Sequence, residues 1–495
     1  MRLKVKFSKW TAGLPVSMLN RETAIKLGVD TEGIILIKTL EGHIHKTFSS
    51  VDTVEGNLVE ENEVLISTEV RKRMNLKKGQ VVDVNISPES ESLSYIKKKL
   101  YNKTITKKEI DQIIHDIINN SISGPEISLF VAGMSLNGMN ERELISMIES
   151  ILSHGNRLSL KSEFVVDKHS IGGVPGNRTT PLVVSICAAG GLIFPKTSSR
   201  AITSEAGTAD VIEAIADVEF SIKELKEIIR KTNAFLVWGG SLDLVPADSK
   251  IIRIEKKLKI DPESQMIASI MAKKIAVGSR YILIDIPYGK NTKVTKKKAE
   301  KLKRKFTDLA KHFHKKIEIV LTEGSQPIGR GIGPALELID IINILDPKSR
   351  GPKDLEDKSL FLAGKIFEIT GKAKQGKGRK MAQEILNSGK AFEKFKQIIK
   401  AQNGSFKKIK PSRFKKNISA KTNGKIKEIN NKDIVTLARI LGCPGDKSSG
   451  IYLNFKVGEK ISKRDTLLTL YAETENRLNE ALKFYYNNKT IKIRH

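Results

Sequence analysis

Apolar and polar positions change rhythm three times along the chain. From residue 1 to about 87, short apolar runs separated by turns (RLKVKF, GIILIKTL, EVLISTEV, VVDVNIS) predict a small β-rich N-terminal domain. Beyond SPESES the period lengthens. KKEIDQIIHDIINNSI sets Ile110, Ile113, Ile114, Ile117 and Ile118 on one helical face, and NERELISMIESIL repeats the pattern, so residues 88–162 read as a helical subdomain. Residues 163–400 alternate strand-like runs (EFVVD, LIFPKT, AFLVWG, YILIDIP, KIEIVLT) with helical ones, which predicts a central α/β domain with a mixed sheet and ligands beyond the strand carboxyl ends. Residues 401–495 return to short strands around one helix, a C-terminal α+β domain. The predicted fold class is therefore multidomain α/β, and 495 residues are too many for one core.

Composition narrows the picture. No stretch approaches the ~20 apolar residues that cross a bilayer, and MRLKVKFSKW lacks a signal-type apolar core, so the expectation is a cytoplasmic protein with no membrane partner. Cys187 and Cys443 lie too far apart for a disulfide framework, and no ligand cluster at usable spacing suggests a metal. The net charge of +30, from 86 basic and 56 acidic residues, raises the question of nucleic acid. The densest runs, KVTKKKAEKLKRK and FKKIKPSRFKK, carry no interleaved base-stacking aromatics, so solvated faces that attract anionic substrates are favoured over a nucleic-acid groove.

Three constellations carry chemistry. In SEFVVDKHSIGGVPGNRTTPLVVSICAAGG a strand runs into a glycine-rich turn and then a helix. Gly172, Gly173 and Gly176 permit close backbone approach, the helix start offers amides, Lys168 and Arg178 add charge and Ser170 a hydroxyl, which together suit an anion. The string is neither a Walker P-loop nor a GxGxxG fingerprint, which disfavours ATP and NAD. An ordinary tight turn would look the same. In LIFPKTSSRAITSEAGTADVIEAIA a second turn gathers Thr197, Ser198, Ser199, Thr203, Ser204 and Thr208 around Arg200, suiting phosphate or ribose, although Thr208 also suits a helix cap. Two such turns suggest a substrate pair with two phosphates, or a phosphate and a sugar. In KIDPESQMIASIMAKKIAVGSRYILID, Asp261 precedes a helix on which Ser269 and Lys273 share a face, and YGKNTKV then places Lys290 and Lys293 in a loop suited to a terminal phosphate.

Through DKHSIGGVPGNR, SSRAITSEAGTAD, LVPADSK, GSQPIGRGIGPALE and RGPKDLEDKSL the chain resembles the thymidine phosphorylase superfamily, and its extra N-terminal domain and GGVPGNR and RAITS turns resemble the archaeal AMP phosphorylases within it. The resemblance implies a pentosyltransferase that converts AMP and phosphate to adenine and ribose 1,5-bisphosphate, with CMP and UMP as further substrates, in nucleotide degradation feeding a form III Rubisco. It implies no cofactor, inorganic phosphate being a co-substrate, and a homodimer or larger homo-oligomer. It also joins residues of about 260–278 to the helical subdomain. By position, Gly173, Ser199, Arg200, Ala201, Ile202, Thr203, Ser204, Thr208, Ser269 and Lys293 match nucleotide contacts. Lys168, Ser170 and Ser198 match phosphate contacts, Lys273 a base contact and Asp261 the proton donor.

The match departs from the family at Glu205, where the family usually carries Pro and where a carboxylate repels phosphate unless it faces away. It departs from thymidine-specific relatives at Ile252 and Glu255, in place of a Tyr and an Arg that serve the pyrimidine. The alternatives are a thymidine or pyrimidine nucleoside phosphorylase, a magnesium-dependent phosphoribosyltransferase of the anthranilate type, and an RNA-binding protein with a vestigial site.

Overall fold

The computed structural model describes every residue except Lys9, Gly42, Lys161, Ile202, Thr203, Asp243, 407–409 and His495. It divides into two compact units, Met1–Gly155 with Val245–Ala272, and Asn156–Leu244 with Lys273–His495.

The first unit begins with β1 (Arg2–Phe7), β2 (Val16–Asn20), α1 (Arg21–Leu27), β3 (Ile34–Thr39), β4 (Lys46–Val54), β5 (Glu63–Ile66), α2 (Thr68–Met74) and β6 (Val81–Ile86). The strands close into a barrel in the order β1-β5-β2-β4-β3-β6. Alternate residues of each strand turn inward, and Leu3, Val5, Leu19, Ile35, Ile37, Val82 and Val84 fill the interior. Helices α3 (Ser92–Leu100), α4 (Lys107–Asn119), α5 (Gly124–Asn137) and α6 (Glu141–Ser153) follow. Capping boxes at Thr106/Glu109, Ser123/Glu126 and Asn140/Glu143 fix the starts of α4, α5 and α6. The five isoleucines read as one face of α4 are all buried but Ile118, which is half-buried.

In the second unit come β7 (Val166–Ser170), α7 (Thr179–Ala189), β8 (Phe194–Ser198), α8 (Thr208–Ile212), α9 (Ile222–Thr232) and β9 (Ala234–Trp238). The chain returns to the first unit for α10 (Pro246–Leu258), and the division falls within α11 (Glu263–Ala276), after Ala272. Then follow β10 (Tyr281–Tyr288), α12 (Lys296–His312), β11 (Lys316–Glu323), β12 (Gly331–Ile332), α13 (Pro334–Leu345), α14 (Lys353–Ile369), α15 (Gly378–Asn387) and α16 (Lys390–Ala401). Strands β11, β10 and β7 form one parallel ladder and β8 and β9 another. A parallel bridge between Val165 and Ile193 joins them. The antiparallel member of the central stretch is β12, which pairs with β15 (Gly450–Leu453) of the C-terminal region. The open edge of strand β9 is met by a side chain: Gln402 accepts the Leu236 amide at 2.8 Å and donates to the Leu236 and Asp217 carbonyls at 2.9 and 2.8 Å.

The C-terminal region adds β13 (Phe414–Ser419), β14 (Gly424–Ile429), α17 (Asn431–Leu441), β16 (Lys460–Ile461), β17 (Thr466–Ala472), α18 (Glu475–Asn487) and β18 (Ile491–Arg494). It holds two helices where the apolar pattern suggests one, because the half-polar ENRLNEALKFYYN buries only Leu478 and Ala481. No helix among the described residues is long and apolar enough to cross a membrane.

Candidate functional site

Parallel α/β sheets leave a crevice beyond their strand carboxyl ends, and here Ser170 and Ser198 are the last residues of β7 and β8. Asp285 of β10 is the register partner of Ser170. Counting five residues on from the Val165–Ile193 bridge sets Ser198 beside Ser170 in the same row. Ser170 Oγ donates to Asp285 at 3.0 Å and accepts from Asn177 at 3.3 Å. The buried hydroxyls of Thr197 and Ser198 have no hydrogen-bond partner among the described residues. Buried polar groups are nearly always satisfied, so two orphan hydroxyls at a strand terminus mark a place made for a polar ligand.

Cations crowd the same edge. Lys168 is fully buried, and its ammonium donates to Thr179 Oγ1 at 2.6 Å and Thr180 Oγ1 at 3.3 Å, in the first turn of α7. A helix start already carries partial positive charge, so an ammonium there is unfavourable until an anion arrives. Burial pushes Lys168 down to about 7, with Lys358 and Arg178 adding to the fall while Asp285 opposes it. Lys358, on α14, lies 3.1 Å from Asp285, and beyond that ion pair its buried Nζ has no hydrogen-bond partner among the described residues. Burial acts to raise the Asp285 carboxyl, but Lys358 and Lys168 outweigh it and hold it below the usual range. One carboxylate thus faces two ammonium groups. Burial first, then Lys274, Lys196, Lys273 and Lys168, drive the His169 imidazole well below its ordinary value. Lys274 and Lys196 are partly neutralised by Asp167, at 2.7 and 3.4 Å.

The two turns meet. Gly172, Gly173 and Gly176 all have positive φ, as the first turn requires. Gly176 donates its amide to Glu205 at 3.1 Å, and Arg178 donates to the Ala206 carbonyl at 2.9 Å and Thr208 Oγ1 at 3.4 Å. Lys293 packs its backbone against Gly173, where a β-carbon would stand 2.8 Å from the Lys293 nitrogen. Lysine 293 itself is exposed.

Other predicted residues are placed differently. The Arg200 guanidinium is gripped by Glu213 through two 2.6 Å bonds, approaches Glu219 at 3.2 Å and lies over Trp238. Its charge is spent within the protein. Ser199 is exposed, Ala201 donates its amide to Asp210 at 2.7 Å and Ser204 Oγ donates to the Ala206 carbonyl at 2.9 Å. Ile202 and Thr203 lie outside the described residues. Lys290 pairs with Glu428 at 2.8 Å and is tied to the C-terminal region rather than to an anion turn. Asp261 is exposed ahead of α11 and Ser269 buried on it, both in the first unit, whereas Lys273 is half-buried in the part of α11 that belongs to the second. Among the described residues no group of three or more His, Cys, Asp or Glu could hold a metal ion.

Pattern reading missed Lys358, Asp285 and Thr322, whose hydroxyl donates to Asp285 at 2.6 Å. Asp285 is the one charged residue within the apolar run YILIDIP, and that was the available signal. A cavity of about 600 Å³ lined by Ala189, Pro347 and Phe392 lies at the opposite end of α7 and includes none of these groups.

Comparison with known proteins agrees with this architecture. Residues 93–155 match the glycosyl transferase family helical bundle domain, 162–392 its a/b domain, and 425–492 the pyrimidine nucleoside phosphorylase C-terminal domain. The AMP phosphorylase of Pyrococcus furiosus is 40% identical over 100% of this chain and 98% of its own, and that of Thermococcus kodakarensis 42% over the same shares. The AMP phosphorylase of Methanococcus vannielii is 41% identical over 97% of this chain and 95% of its own. The crystal structure of anthranilate phosphoribosyltransferase from Thermus thermophilus, 17% identical, superposes with a TM-score of 0.54 over 62% of this chain and 99% of that one, a likeness of fold alone. With relatives this similar along its whole length, the chain belongs to the AMP phosphorylase family of the thymidine phosphorylase superfamily.

Proposed function

We propose that the protein catalyses phosphorolysis of nucleoside 5'-monophosphates, AMP first among them, to the free base and ribose 1,5-bisphosphate. The observation that carries the reading is the pair of joined anion turns at the carboxyl edge of the sheet, with two buried ammonium groups set against one carboxylate. The reaction brings phosphate to the anomeric carbon as the glycosidic bond breaks, so the enzyme must seat one phosphate, hold another and protonate the departing base. Lys168, Lys358, Ser170 and Ser198 hold the attacking phosphate. Gly173, the 199–204 turn, Thr208 and Lys293 hold the nucleotide, with Ser269 and Lys273 toward the ribose and base.

Asp261 supplies the proton to the base. It is exposed, so its carboxyl is open to the departing base. The chemistry balances without an added cofactor: the phosphate oxygen forms the new bond, the base leaves with the bond's electrons, and the Asp261 proton joins it. The protein acts in the cytoplasm as a homo-oligomer in this reading. Thymidine phosphorolysis is not favoured, since the full-length relatives are named for AMP.

Incubating the purified protein with phosphate and each of AMP, CMP, UMP, thymidine and uridine, and following free base, tests the proposal. Adenine release that needs phosphate and survives chelation is expected. Release from nucleosides alone, or none from any nucleotide, overturns it. Asp261→Asn should bind AMP and lose most turnover, and Lys293→Ala should impair AMP far more than adenosine.

A further inference from the structure

Glu205 belongs to the second anion turn, yet the phosphorolysis reading gives it nothing to do. It is 1% exposed, and Oε1 accepts the Gly176 amide of the first turn at 3.1 Å and lies 3.8 Å from Arg178. Oε2 is buried with no hydrogen-bond partner among the described residues. Arg178 is committed elsewhere as well, donating Nε to Glu337 of α13 at 2.5 Å. Arg439 of α17 also donates to the carbonyl of Ser204, the residue before Glu205, at 3.1 and 3.0 Å. The bonds joining the two turns therefore run through Glu205 and Arg178.

We infer that Glu205 is a positioning residue: it staples the glycine turn to the hydroxyl turn and so sets the spacing of the two phosphate seats. The inference rests on the phosphorolysis reading in assuming that both turns hold anions at once. Its physical basis is charge balance. Glu205 and Glu337 are both buried and share one guanidinium, and a second buried carboxylate without a counter-charge is costly. Burial first, then Glu337, push the Glu205 carboxyl up to about 8 against the pull of Arg178. Asp210, whose Oδ2 takes the Ala201 and Gly207 amides, acts on the shared Arg178 rather than on Glu205, and the Cys443 thiol beside Glu205 is pushed well above its ordinary value by burial first. A protonated Glu205 adds no negative charge beside an anion seat, which resolves the conflict its presence raises in the sequence.

The test uses the full chain and sulfate, whose charge is constant across the range, as the probe. Calorimetric titrations of the wild type, Glu205→Gln and Glu205→Ala run from pH 6.5 to 9, beside steady-state KM and kcat for AMP and phosphate. Loss of a hydrogen bond to a buried amide predicts about 10-fold weaker sulfate binding and raised KM for both substrates in Glu205→Ala, with kcat less affected. Glu205→Gln, neutral at every pH and still an acceptor, should restore affinity and remove the part of the alkaline weakening that begins near pH 8, leaving only that due to Lys168. Wild-type sulfate affinity in Glu205→Ala, or an alkaline profile in Glu205→Gln that parallels the wild type, overturns the inference. Absence of adenine release by the wild type overturns the phosphorolysis reading alone, because the sulfate titrations still decide the staple.

Discussion

Lys99 and Lys168 are both buried lysines, and they meet the cost of leaving water in opposite ways. Lys99 is 4% exposed and places its ammonium 3.1 Å from both oxygens of Glu143, whose remaining capacity is taken by the Ile105 and Asn140 amides at 3.0 and 2.8 Å. Every charge there is matched within the fold. Lys168 has two threonine hydroxyls, a helix start and a second ammonium for neighbours, and Asp285 is shared between them. The first arrangement is complete and holds α3 against α6. The second sets two buried ammonium groups against one carboxylate. Burial alone therefore does not mark a functional lysine, whereas burial without balanced charge does.

Breaking each lysine sharpens the contrast. Lys168→Met should lower AMP phosphorolysis on the order of 10²–10³-fold while leaving the urea midpoint unchanged or higher, since it removes a cation the fold does not balance. Lys99→Met should do the reverse, costing ~3–5 kcal/mol in urea unfolding by leaving Glu143 unpaired, with turnover per folded molecule retained. Lys358→Met should weaken sulfate binding ~10-fold or more, measured by calorimetry, because a charge-assisted donor is lost. In the wild type, sulfate affinity should fall as pH rises through about 7, where free Lys168 gives up its proton, by at most about tenfold per pH unit. By the same linkage the depressed Lys168 lowers stability below pH ~7 and relaxes as pH climbs toward the lysine value of the unfolded chain, so stability from this group should rise over that window. Smallest of all, Lys290→Ala should alter the KM for AMP by less than ~2-fold, since that lysine spends its charge on Glu428 at the surface.

The same contrast explains what could be read from the sequence. The two turns were legible because their signals are local: glycines, hydroxyls and basic residues within a dozen positions of a strand end. The five central strands were legible for the same reason, each being an apolar run bounded by turns. The pairing of Asp285 with both Lys358 and Ser170 joins segments far apart in sequence, and no periodicity reports such an encounter. The ion pairing of Arg200 was hidden for a related reason, since its carboxylate partners, Glu213 and Glu219, come later in the chain. Glu205 was seen as an anomaly but not as a link, because its partner is an amide of another turn. The barrel's β content was plain, but its order, with β5 between β1 and β2, is set by pairing that alternation does not encode.

Gln402 gives the central sheet a definite end. An outer strand normally offers its main-chain groups to whatever extended segment comes near, including another molecule of the same kind. Here a single carboxamide imitates one residue of an adjoining strand and occupies both groups of Leu236, midway along β9. Association between copies by lengthening this sheet would first have to displace that plug.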